Sequence, residues 1–370
     1  MNQLVDWCKA LGTKLLDAGI NPDEVVRGTL SVKTIFARPG KLPIGVDWPE
    51  EIYTDPESIW SVAVDGVEWP LPEIDIELVA PASTGPLRLA ISSETEKVEL
   101  ELEISGTEEA PMYRFISEAS RRIEIVHHSV HEEATSFFYR NPPKFWFSDG
   151  SSLEGNRYAE LRSPLPLFDA AKIEILDWTG VNLQKESQGR ERDQSSIQAR
   201  LIAFLKDKDY MVIFDDDDKG EVADVVAVRR TGTQAEPSGV EVELYHCKFS
   251  RAATPGPRVD DLYQVCGQAQ KSIAWAWSPD KKTELFTHLL RRESLRKEMK
   301  APTRFEVGSE EDVMILREMS RLLPVNLKIF IVQPGIPKSS ASRDQLALLS
   351  VTENYLWEMF QLKLGVIASA

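Results

Sequence analysis

Two residues in the second half of the chain have types and spacing suited to phosphodiester chemistry. The segment GEVADVVAVRR (220–230) is followed by the loop TGTQAEPSG (231–239) and then by VEVELYHCKFS (240–250). Side chains in a strand alternate faces with a period of two. Asp224 therefore shares a face with Val226 and Val228, and His246 and Lys248 share one with Val242 and Leu244. Polar groups that complete an apolar face are costly to keep there unless they pair or work. A carboxylate can hold Mg²⁺ or Mn²⁺ on a phosphate and activate water, and an adjacent cation offsets the charge that develops. A structural ion pair at a strand end is the other reading of the same two residues.

The elements that must position this pair follow from periodicity. Residues 2–19 place Leu4, Trp7, Leu11, Leu15 and Leu16 at helical spacing, and the turn Gly19-Ile20-Asn21-Pro22 comes next. From about 29 to 105, SVKTIFA, SIWSVAV, LRLAIS and KVELELEI alternate with Pro- and Gly-rich turns, the pattern of a sandwich or barrel-like unit. Residues 177–194 are polar with little apolar periodicity and read as a domain boundary. Beyond them a helix with stripe Ile197, Leu201, Phe204 and Leu205 precedes the strands YMVIF, ADVVAV and VELYHCKF. Two helices, a strand LKIFIVQPG, another helix and a last strand LGVIAS follow. This order implies a mixed sheet covered by helices. The expected architecture is α/β, with a β-rich accessory domain (1–176) carrying an N-terminal helix and an α/β domain at 177–370.

Composition narrows the function classes. With 370 residues and 28% charged residues, the chain has the size and balance of a globular protein of two domains. A net charge of −16 argues against coating a polyanion, because phosphate neutralisation supplies most nonspecific nucleic-acid affinity. Cys8, Cys247 and Cys266 form no CxxC pair, which points to a reducing cytoplasm and no zinc knuckle. The N-terminus is unlike a signal peptide and no apolar run is long enough to span a membrane, so a cytoplasmic location without membrane contact is expected.

Helix, strand, strand with Asp, strand ending in xxK, then polar helix: this order resembles the PD-(D/E)XK nuclease superfamily. LYHCKFS, PGPRVDDLYQVCGQAQKS, IFIVQPG and VTENYL look more narrowly like the C-terminal nuclease-like region of bacterial defence-associated DEAD/DEAH-box helicases. The likeness runs from about Asp177 to Ala370, with FWFSDGSSLEGN upstream. It implies Asp224 as the metal-binding aspartate and Lys248 as the motif lysine. His246 stands where the superfamily has Glu or Asp, and Gln194 and Gln198 stand where a first-helix glutamate is usual. Imidazole and amide can ligate a metal but bring no negative charge. Glu241 and Glu243 fall on the opposite face, so Glu221 is the residue that would compensate if its turn folds back.

The implied catalytic set is thus Asp224, His246, Lys248 and Gln198, with Asp224, His246 and Glu221 around Mg²⁺ or Mn²⁺. Gln268 and Lys271, three apart on the following helix, and Arg251 and Arg258, flanking TPGP, would contact the DNA backbone. The Asp215–Asp218 run has the composition of a metal-binding acidic loop but reads more readily as a solvated turn, since consecutive side chains cannot all point at one ion. His127, His128 and His131 read as an exposed polar segment. The implied function is DNA endonuclease action in antiphage defence, with a helicase or other ATPase in cis or in trans, since no GxxxxGK[ST] sequence occurs here. The competing reading is a catalytically inert nuclease-like module that binds nucleic acid or a partner protein, which the missing carboxylates favour.

Overall fold

A computed structural model of the chain describes all residues except 1, 18, 20–29, 55–58, 94, 118–120, 163–164 and 234. The turn expected at 19–22 lies outside the described residues apart from Gly19. The chain is mixed α/β, with eight α-helices and four sheets among the described residues.

The first helix, α1 (Asn2–Leu15), forms as its periodicity predicts, with Leu4, Val5, Trp7 and Leu16 exposed. Thirteen strands then build three antiparallel sheets. They are β1 (Leu30–Thr34), β2 (Pro43–Asp47), β3 (Trp60–Val64), β4 (Val67–Pro70), β5 (Asp75–Val79), β6 (Leu87–Ser92) and β7 (Lys97–Gly106). After them come β8 (Pro111–Ser117), β9 (Ile123–His127), β10 (Val130–Glu133), β11 (Lys144–Phe147), β12 (Ser152–Glu154) and β13 (Arg157–Leu161). The sheet orders are β1-β13-β12-β11-β2, β10-β9-β3-β4 and β5-β6-β7-β8. Two short helices, α2 (Glu51–Thr54) and α3 (Ala134–Arg140), lie among them. One core joins these sheets and includes Trp48, Trp60, Phe138 and Phe145. His127, His128 and His131 fall on the β9–β10 hairpin, where the His127 ring stacks on Trp60 at 3.9 Å.

The second half forms a seven-stranded mixed sheet. Its strands are β14 (Ile173–Ile175), β15 (Val212–Asp215), β16 (Val225–Gly232), β17 (Pro237–Cys247), β18 (Phe305–Val307), β19 (Val325–Pro337) and β20 (Lys363–Ser369). The spatial order is β14-β20-β19-β17-β16-β15-β18. β15, β16 and β17 are an antiparallel meander, and β17 pairs parallel with β19. The helices are α4 (Ile197–Lys206), α5 (Asp260–Lys271), α6 (Pro279–Glu298), α7 (Glu310–Ser320) and α8 (Arg343–Phe360). Side-chain caps start four of them: Ser196, Ser278, Ser309 and Ser342 each accept a hydrogen bond from a first-turn N–H.

Strand alternation sorts the two faces as the sequence implies. Val226, Val228, Val242 and Leu244 join one core with α5, while Val225, Ala227, Tyr245 and Cys247 join another with α4. Glu243 falls on the second face, hydrogen-bonded by Tyr245 at 2.6 Å and also by Tyr210. The boundary drawn at 176/177 does not separate two packing units. β14 pairs parallel with β20, and Leu176, Trp178 and Leu183 pack in the α4 core, because the polar run is spaced by these apolar anchors. Ile44 and Trp146 of the first half are likewise buried in the α5 core.

Gly267 is what permits that close packing. A Cβ built there would meet the carbonyl oxygen of Ile44 at 2.0 Å, with Gly45 Cα at 3.1 Å. Gly267→Ala is expected to cost about 2–4 kcal/mol, in the range of overpacking and strain effects on a closed core. Gly12, whose built Cβ meets nothing within 4 Å, is the control: Gly12→Ala is expected to be neutral or slightly stabilising. Thermal unfolding of the two variants checks the contrast.

Candidate metal centre

Asp224 sits just before β16, and its position is set from three sides. Its carbonyl accepts from Asp216 N at 3.1 Å, continuing the β15–β16 ladder, and from Gln198 Nε2 at 3.0 Å. Its carboxylate Oδ2 accepts the backbone N–H of Cys247, the last residue of β17, at 2.9 Å. Lys248 follows immediately, with its own N–H bonded to Val332 at 3.0 Å. Its Nζ lies 2.9 and 2.8 Å from the two oxygens of Glu186. Glu186 Oε2 also accepts from Phe249 N at 3.0 Å, and the Glu186 carbonyl accepts from Gln198 N at 3.0 Å. The first turn of α4 thus holds Glu186 against the end of β17.

The turn between β15 and β16 supplies the remaining carboxylates. Oxygens of Asp217, Glu221 and Asp224 lie within 4.8 Å of one another. The four consecutive aspartates go four ways. Asp215 accepts from Gln188 and Gln198, both at 2.9 Å. Asp216 is fully buried on Arg292 Nε at 2.6 Å and accepts from Val222 N at 2.7 Å. Asp217 accepts from the Ser187 hydroxyl and faces the cluster, while Asp218 lies 3.8 and 3.7 Å from Arg296 and Arg304. The run is therefore not a solvated turn, although only one of the four joins the cluster. Gly220 turns the chain back at φ +75°, a conformation that a side chain disfavours. That reversal returns Glu221 to Asp224.

The electrostatics follow from this crowding. Burial pushes the carboxyls of Asp224 and Glu221 well above the usual carboxylate range. Neighbouring charge adds to it: Glu186 and Asp217 beside Asp224, and Asp224, Asp217 and Asp216 beside Glu221. Lys248 opposes the shift at Asp224, but its ammonium is committed to Glu186. Three hard oxygen donors with excess negative charge suit a divalent cation of the Mg²⁺, Mn²⁺ or Ca²⁺ type. The residues present fit such an ion.

The structure brings Asp224, Lys248, Glu221 and Gln198 together, with Gln198 acting through backbone and Asp215 contacts. His246 does not join the cluster. Its Nε2 lies 2.6 Å from Ser272 Oγ, its Nδ1 is buried without a hydrogen-bond partner, and burial lowers its pKa to about 3. The neutral ring serves the packing of β17 on the end of α5. Lys271 Nζ donates to the Ile76 carbonyl at 2.8 Å and lies beside Asp47, whose pKa burial raises to about 6. It ties α5 to β5. The Gln268 amide oxygen is buried without a hydrogen-bond partner. Arg258 spans Asp261 at 3.2 Å, Ser250 at 3.1 Å and the Thr254 carbonyl at 2.8 Å, which closes its own loop. Arg251 is exposed, 3.7 Å from Asp260.

Glu186 is the residue that sequence reasoning passes over, and Asp217 is the one it could not single out from its run. Glu186 lies in a run without periodicity, and Asp217 is one of four like neighbours, so neither carries a local signal. Comparison of the chain with models of known protein families, with curated proteins and with solved structures finds no match.

Proposed function

We propose that this chain is a Mg²⁺- or Mn²⁺-dependent deoxyribonuclease of PD-(D/E)XK type that acts in antiphage defence with a helicase in cis or in trans. The observation that carries the reading is the convergence of Asp217, Glu221 and Asp224 beside the Lys248–Glu186 pair. The helix, antiparallel meander, helix and parallel strand formed by α4, β15–β17, α5 and β19 support the superfamily likeness. The defence and helicase elements rest on the likeness of LYHCKFS, CGQAQKS and VTENYL.

The ion, when bound, would polarise a phosphate and lower the pKa of attacking water. The chain's own groups do the rest. Cys247 N–H orients the Asp224 carboxylate, and Gln198 fixes the backbone beneath it. Lys248 offsets charge developing on the phosphate, and Glu186 holds that ammonium in place or accepts a proton from water when the pair opens.

Nicking of supercoiled plasmid DNA with Mg²⁺ or Mn²⁺ tests the proposal, with the helicase supplied where one is known. Lys248→Ala is expected to lower the rate by about 10²–10³-fold, the range for loss of one charge-stabilising group. Glu186→Gln, which keeps shape and loses charge, is expected to lower it by about tenfold or more. A wild-type chain silent under all these conditions, with retained DNA binding, would favour the inert nuclease-like module instead.

A further inference from the structure

We infer that a second site, outside the carboxylate cluster, binds a free mononucleotide. A cavity of about 250 Å³ lies between the first-half sheets and α6. Its walls combine Trp69 of β4, Thr95 of the β6–β7 connection, Lys219 of the acidic turn and Arg291 of α6, with two carboxylates, Glu73 and Glu298, set against the basic groups. The volume approaches the lower end of small-molecule sites, which run from about 300 to 1,000 Å³.

The chemistry of the wall is that of a nucleotide's three parts. An indole with aliphatic neighbours offers a stacking face for a base. The exposed Thr95 hydroxyl suits a ribose or phosphate oxygen, while the buried Ser93 Oγ accepts from the backbone N–H groups of Thr95 and Glu96 and fixes that turn. Lys219, Arg291 and Arg292 converge on the same space, although the chain as a whole carries a net charge of −16. Arg292 is committed to Asp216, and Arg291 pairs with Glu73. Lys219 Nζ donates to the Ser93 carbonyl at 2.6 Å and has no carboxylate partner among the described residues. An exposed ammonium tethered by a neutral group at the mouth of a cavity keeps its full charge for an anion. His288, neutral because burial lowers its pKa, donates from Nε2 to the Gly220 carbonyl at 2.8 Å and closes the inner wall.

The cavity also touches the metal centre through the chain. Lys219 and Gly220 lie between Asp217 and Glu221, and Gly220 N donates to Asp75 Oδ2 at 3.2 Å. A mononucleotide held here engages Lys219 in the turn that carries Asp217 and Glu221, in the manner of an effector.

The test is binding, so it stands whether or not the chain cleaves DNA. Intact protein in EDTA is titrated calorimetrically with AMP, GMP, CMP and UMP, with adenosine and inorganic phosphate as comparisons, while tryptophan fluorescence is followed in parallel. At least one monophosphate is expected to bind at least tenfold more tightly than either adenosine or phosphate. Lys219→Ala and Arg291→Ala are each expected to weaken it about tenfold, the loss of one charge-assisted contact. Trp69→Phe is expected to keep binding but reduce the fluorescence response. Lys219 is exposed, so its variant tests the site without disturbing the core. The proposal is overturned if no monophosphate binds, or if inorganic phosphate binds as well as the nucleotides. Loss of binding in Lys248→Ala with retention in Lys219→Ala would place the ligand at the metal centre and overturn it too.

Discussion

Asp224→Asn is expected to lower metal-dependent DNA cleavage by about 10³-fold or more, the scale for losing a group that acts on the reacting atoms. The same change is expected to stabilise the metal-free protein at neutral and higher pH. The amide oxygen can still accept from Cys247 N–H, so the local fold survives, while one negative charge leaves a crowded site. The sign with pH follows from the raised carboxyls of Asp224 and Glu221. A group whose folded pKa is raised stabilises the fold while protonated. That contribution is fully present below about pH 4, where the unfolded chain's carboxyls also hold their protons. It is lost as the pH climbs through the raised folded-state values. Metal-free wild type is therefore expected to lose stability relative to Asp224→Asn as pH rises above the ordinary carboxylate range. Mn²⁺ should restore wild type progressively over the same range, because the ion competes with the protons for the same oxygens. Thermal unfolding of both proteins, with and without Mn²⁺, reads all of this. A stability difference that does not change with pH would show that the cluster titrates normally and is open to solvent.

Arg292→Met is expected to cost about 3–5 kcal/mol, the scale for removing one partner of a buried ion pair. Asp216 is fully buried and Arg292 nearly so, with Nε to Oδ1 at 2.6 Å. The guanidinium also donates to the carbonyls of Asp216, Asp218 and Lys219, so one side chain on α6 holds most of the acidic turn. Its loss leaves a buried carboxylate without its cation and frees the segment that carries Asp217 and Glu221. Mn²⁺ affinity is therefore expected to fall together with stability. The double variant Asp216→Asn/Arg292→Met should recover part of the stability, because no charge is stranded, but not the metal affinity. Arg292→Lys should fall between, since it keeps charge but loses the fork. Urea unfolding and Mn²⁺ titration of the three variants separate these contributions. Equal stability of Arg292→Met and wild type would mean that the turn is held by its own backbone.

Asp224 and Lys248 show how far a sequence alone can lead. Strand alternation is a property of neighbouring residues, so the faces of β16 and β17 were legible before any tertiary contact was known. The apolar stripe Ile197, Leu201, Phe204 and Leu205 was legible for the same reason, and it falls on α4. β18 went unread because a three-residue strand has too few positions to show a period, and α7 because exposed Met314 and Ile315 sit between its buried Val313 and Leu316 and blur the apolar stripe. His246 shows the limit from the other side. Its place two before Lys248 suggested a ligand, yet its ring bonds Ser272, 26 residues away.

What the sequence by itself determined was which residues stand at the ends of two adjacent strands and which way their neighbours face. The tertiary structure decided which carboxylates meet there. Glu186 arrives from a segment without periodicity, Asp217 is singled out from three identical neighbours, and Glu221 returns through a glycine turn that Arg292 pins from 76 residues further along the chain. Short-range periodicity cannot encode that convergence. It depends on long-range packing, with Gly267 against Ile44 and the first-half sheets against α5 and α6, and only that packing buries the carboxyls enough to raise their pKa and favour a cation.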